Sequence, residues 1–108
     1  MKNVMTPLEE RLLVEYKRLY RQLQINSIEL ENIKIPDNII CVSSKGKDYI
    51  YKCTIVDGKT YRERIYVGQE HIIREQKNRR SQLRAENRTI IFDMKVIEKA
   101  LPEDMINE

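Results

Sequence analysis

The chain has 108 residues, 34% of them charged, with one Phe, no Trp and a formal net charge of +3. A chain of this size hides at best about two-thirds of its unfolded surface, so a single domain over residues 1–108 with a thin core is expected. No stretch approaches the roughly 20 apolar residues of a membrane helix, and no signal-peptide pattern opens the sequence, which predicts a cytoplasmic protein.

Thr6-Pro7-Leu8-Glu9 is a helix start: Thr as N-cap, Pro at the first helical position and Glu three residues after the cap. A helix over residues 7–34 follows, ending before Pro36 because the residue preceding a proline avoids the α region. Its apolar seam is Leu12, Tyr16, Leu19, Leu23, Asn26, Leu30 and Ile33, spaced alternately by four and three as in a coiled coil. Asn26-Ser27 is the place where this helix is expected to fray.

Three strands follow, over residues 38–43, 48–56 and 59–67. Asp57-Gly58 lies between two β-rich runs, and Asp-Gly favours the two-residue turn whose central positions both need φ > 0. That turn pairs Val56 with Lys59, Thr54 with Tyr61, Lys52 with Glu63 and Ile50 with Ile65. It also sets Cys53 opposite Arg62, Tyr51 opposite Arg64 and Tyr49 opposite Tyr66. One face then carries Ile50, Ile65 and Val67 with Cys41, and the other Tyr49, Tyr51, Tyr66, Arg62 and Arg64. Ser44-Lys45-Gly46-Lys47 forms the other hairpin loop. Cys41 and Cys53, the only cysteines, are expected to be reduced and half-buried.

Residues 69–100 contain neither Gly nor Pro and predict a second helix, followed by an acidic tail over residues 101–108. Its seam is drawn through Ile72, Gln76, Arg79, Leu83, Glu86 and Ile90, then Met94, Ile97 and Leu101. Antiparallel pairing with the first helix would set Leu23 near Leu83, Asn26 near Arg79, and Tyr16 near Ile90. The same seams could instead meet between two chains as a homodimer. The fold class is therefore α+β: two long antiparallel coiled-coil-like helices joined by a small three-stranded antiparallel meander. At 100° per residue Arg74, Lys77, Arg80, Arg84 and Arg88 share one face of the second helix, beside the seam and suited to successive phosphates.

The run Tyr49-Ile50-Tyr51, Asp57-Gly58-Lys59 and Tyr66-Val67-Gly68 resembles the sheet of small helix–meander–helix proteins of clostridia, archaea and their phages or mobile elements. It is also similar to a piece of some transposase-associated domains. The resemblance implies a fold and a genomic setting, and it carries no catalytic residues.

Two functional classes fit these residues. One is a non-enzymatic protein that engages nucleic acid or a nucleoprotein through the basic helix face and the Tyr/Arg sheet face. An inhibitor of a host CRISPR nuclease is one concrete form. The other is a coiled-coil oligomerisation module with no nucleic-acid role. Enzymatic activity is the weakest fit, since Cys41, Cys53 and the sole histidine, His71, form no constellation. No cofactor, metal or membrane partner is expected.

Overall fold

The computed structural model describes residues 4–106. In chain order it contains α1 (Pro7–Asn32), β1 (Ile39–Ser44), β2 (Lys47–Val56), β3 (Lys59–Ile65), α2 (Glu70–Ala100) and the short α3 (Glu103–Ile106). The class is α+β, with a long helix, a three-stranded antiparallel sheet in the order β1-β2-β3, and a second long helix. The chain gathers into two compact units. One joins α1 to the part of α2 from Leu83 onward, and the other is Ile33–Gln82.

In the first unit, the Thr6 hydroxyl accepts from the Glu9 amide at 3.1 Å, and Glu9 Oε1 accepts from the Thr6 amide at 2.9 Å. This reciprocal box satisfies two donors that a helix start leaves without partners. The helix runs unbroken through Asn26-Ser27, where the Ser27 hydroxyl donates to the Leu23 carbonyl at 2.7 Å. It ends at Asn32, so Ile33 lies outside it. The core is Leu19, Ile90, Met94, Ile97 and Leu101, with Leu12, Leu13, Tyr16, Leu23 and Ile106 packed around them. Leu101 lies in the core as its place on the seam implied, and Ile106 packs there too, although it falls in the segment expected to be an acidic tail.

The pairing of α1 with α2 differs from expectation by about two helical turns. Tyr16 donates to Glu98 Oε1 at 2.7 Å instead of lying near Ile90. Asn26, only 2% exposed, donates to Glu86 Oε1 at 3.1 Å and Asn87 Oδ1 at 2.9 Å, and accepts from Gln22 Nε2 at 2.9 Å. A heptad pattern maps onto itself when it slides by one repeat, so apolar spacing alone leaves the register open. Asn26 breaks that degeneracy, because Glu86 and Asn87 offer it acceptors whereas Arg79 offers only donors.

In the second unit the β2–β3 register is the predicted one from Ile50–Ile65 through Val56–Lys59. Asp57 and Gly58 take φ of 53° and 77°, the conformation their turn requires. Lys45 and Gly46 repeat it at 51° and 77° in the β1–β2 turn. The third strand, however, stops at Ile65. Tyr66 turns to φ 57°, which reverses the alternation of faces. Tyr66 packs against the buried cluster of Ile39, Ile50 and Ile73, while Val67 is 68% exposed. The expected Tyr49–Tyr66 pair and the inward Val67 are both corrected by that one dihedral.

The seam of α2 is also corrected. Ile73 is buried and Ile72 is 57% exposed; Arg80 is buried, while Arg79 is exposed and bonds along the helix to Gln82. Counting back from Leu83 in steps of three and four reaches Arg80, Gln76 and Ile73 as readily as Arg79, Gln76 and Ile72. The doubled Ile72-Ile73 and Arg79-Arg80 hide the difference from the sequence.

Candidate nucleic-acid interface

The register divides the sheet cleanly. Ile39, Cys41, Ile50 and Ile65 face Ile73 of α2. Successive side chains alternate across a strand, so Tyr49, Tyr51, Cys53, Arg62 and Arg64 share the opposite face. The β1–β2 pairing adds Ile40 (opposite Tyr51) and Val42 (opposite Tyr49) to that face. The sequence reading placed only Cys41 of β1 and so missed both. With Cys41 on the apolar face, the alternation of side chains along a strand was the signal available for its two neighbours.

Two of the face's residues form a fixed pair. The Arg64 guanidinium carbon lies 4.9 Å above the centre of the Tyr49 ring, within cation–π range. Its Nη2 stands 3.8 Å from Glu70 Oε2, and Glu70 accepts from the Gly68 amide at the entry to α2. An open cleft of about 580 Å³ lies here, bounded by Lys47, Tyr49, Arg64, Glu70 and His71. His71 itself points to Glu75 at 3.0 Å. Arg62, one register step away opposite Cys53, is exposed, and Tyr51 is half-buried.

The basic face of α2 does not survive as one stripe. Arg74 Nη1 contacts both Asp48 carboxylate oxygens at 3.0 Å. Asp48 also accepts from the Ser43 hydroxyl at 2.6 Å. That hydroxyl first, and Arg74 second, hold the Asp48 carboxyl below its usual range, while Asp48 raises Arg74 in turn. Arg80, 7% exposed, donates to the Ile35 carbonyl at 2.7 Å and the Pro36 carbonyl at 3.0 Å, with Asp37 at 3.5 Å. It was expected beside the seam and lies on it. A guanidinium offers five donors in a fixed fork, and here the fork grips the linker leading into β1. Lys77 is half-buried; Arg84 and Arg88 are exposed, and they fall in the other compact unit.

Cys41 and Cys53 are free and half-buried. Among the described residues no cluster of His, Cys, Asp or Glu has the makings of a metal site, and no helix is long and apolar enough to cross a membrane. No family model, curated protein or solved structure matches this chain.

Proposed function

We propose that the chain is a non-enzymatic binding protein whose sheet face, carrying Tyr49, Tyr51, Arg62 and Arg64, takes single-stranded nucleic acid. The observation that supports this reading is the register: it sets two aromatic rings and two guanidinium groups on the face opposite the one packed on Ile73. Base stacking on aromatic rings tolerates any sequence, and arginines alongside serve the phosphates. Arg62 is exposed and suits a phosphate. Arg64 is held over Tyr49, which fixes a stacked platform beside Tyr51.

The test is a salt-titrated binding measurement with short labelled DNA and RNA strands. Binding should weaken linearly on a log–log plot of affinity against salt. Tyr51→Ala should cost about 1–3 kcal/mol of binding, the usual contribution of one stacked base. Arg62→Ala should reduce the salt slope by about one phosphate contact. Absence of binding at about 50 mM salt would rule the reading out.

A second reading, a structural module built on a coiled-coil seam, is supported by Asn26 and its buried hydrogen bonds. Polar seam positions of this kind are used to specify register and partner number. Under it, charge changes on the sheet would leave every property but solubility unchanged.

A further inference from the structure

The meander has two free edges, and they differ in chemistry. Bonding positions in an antiparallel ladder alternate. The Cys53 amide donates to the Asn38 carbonyl at 2.8 Å, and the β1–β2 register then makes Ile40, Val42 and Ser44 the residues that bond to β2. The backbone N–H and C=O groups of Ile39, Cys41 and Ser43 therefore point away from the sheet. Ile39 is buried, at 3% exposure, so those open to a partner are on Cys41, half-buried, and Ser43, exposed. On β3 the outward groups are those of Thr60, Arg62 and Arg64. Natural sheets blunt such edges with charge or proline. β3 is blunted, since it carries Lys59, Arg62, Glu63 and Arg64. β1 reads Ile-Ile-Cys-Val-Ser-Ser and holds no charge at all.

We propose that the β1 edge pairs with the same edge of a second copy of this chain, making a continuous six-stranded antiparallel sheet. A two-fold axis beside Val42 aligns the outward backbone groups of Cys41 with those of the partner's Ser43, and those of Ser43 with the partner's Cys41. In that register Val42 lies opposite the partner's Val42, an apolar pair on the Tyr/Arg face. Ile40 meets the partner's Ser44 at each end of the joint, and no charge enters it. The equivalent axis on β3 would set Arg62 against the partner's Arg62, and like charges directly opposite are unfavourable. The two edges are thus not interchangeable: β1 is self-complementary and β3 is not. Ile73 sits over Ile50 on the central strand, so the two copies of that helical turn would stand about three strand spacings, or ~14 Å, apart. Helices pack at 8–10 Å, which leaves room for both.

This proposal does not depend on nucleic-acid binding, and its test uses none. Sedimentation across a dilution series should show a mass of two chains at the concentrated end. Residue-resolved amide exchange should find Cys41 and Ser43 protected in addition to Ile40, Val42 and Ser44. Val42→Lys sets a cation on the apolar pair and should weaken dimerisation at least about tenfold, with the circular dichroism unchanged. Ser43→Pro removes an outward N–H that no strand of the same chain uses and should act likewise, with Ser43→Ala as the control for the lost hydroxyl bond to Asp48, so a poorly folded first variant does not leave the question open. The idea fails if the chain has single-chain mass throughout. It fails equally if a dimer survives both substitutions, or if the newly protected amides are those of Thr60, Arg62 and Arg64.

Discussion

Arg80 shows how one side chain can look functional in sequence and be structural in space. Among the basic residues of α2 its composition and spacing are unexceptional, yet it is buried and donates to two linker carbonyls. Arg80→Ala should destabilise the chain by about 2–3 kcal/mol, since it removes a charged donor and leaves those carbonyls unpaired. Arg80→Lys should recover about half of that, because an ammonium lacks the planar fork that reaches both. Arg88→Ala, on the exposed side of the same helix, should stay within about 0.5 kcal/mol. Urea unfolding of the three variants decides it, and equal midpoints for Arg80→Ala and Arg88→Ala would refute the structural role. Asp48 gives the corresponding acid sensitivity. Its folded-state pKa is lowered by the Ser43 hydroxyl and Arg74, so its contribution is present above the usual carboxylate value and is lost as pH falls through the folded one. Between about pH 5 and pH 3 the melting temperature of Asp48→Asn should therefore fall less steeply than that of the unsubstituted chain. Parallel slopes would show the pair to be thermodynamically silent.

At the level of elements, the sheet was the most legible part of the chain and the helix pairing the least. A two-residue Asp-Gly turn admits few backbone solutions, and each of them sets the partner of every residue behind it. The β2–β3 ladder follows from that local constraint for seven successive pairs. It fails where a second local event intervenes, since nothing in the composition of Tyr66-Val67-Gly68 announces that Tyr66, in place of its neighbour Gly68, would begin the turn out of the strand. Gly58 tests the constraint itself. No atom lies within 4 Å of where its Cβ would stand, but its φ is +77°, so a side chain there meets strain without collision. Gly58→Val should cost about 1–3 kcal/mol, whereas Gly58→Asn should be tolerated because Asn visits that region with least penalty. If thermal melts rank the two variants the other way, steric conformation is not what the turn demands of this position.

For the molecule as a whole, the sequence constrains the apolar seams better than it constrains their alignment. Leu12, Leu19, Leu23, Ile90, Met94, Ile97 and Leu101 were legible as seam residues and all lie in one core. Their alignment was not legible, because a slide of one heptad exchanges apolar for apolar. What distinguishes the alternatives is polar: Asn26 finds acceptors on Glu86 and Asn87 in the observed register and only further donors beside Arg79. Asn26 should therefore contribute more to uniqueness than to stability. In Asn26→Leu, Glu86 is exposed and regains water, Asn87 is half-buried, and a leucine gains apolar burial at a site that is 2% exposed. Those effects oppose each other, and the net change should lie within about 1 kcal/mol. By contrast, Leu19→Ala should cost about 2–4 kcal/mol through the cavity it opens in the same core. An uninterrupted apolar seam no longer disfavours the corresponding seam of another chain, so the leucine variant should form helix-mediated assemblies. Measured by light scattering with Val42→Lys present to suppress pairing through β1, Asn26→Leu should gain mass with concentration where Val42→Lys alone does not. A single unchanged mass with a sharply lowered unfolding midpoint would mean that Asn26 acts through its hydrogen-bond energy and not through the choice of register.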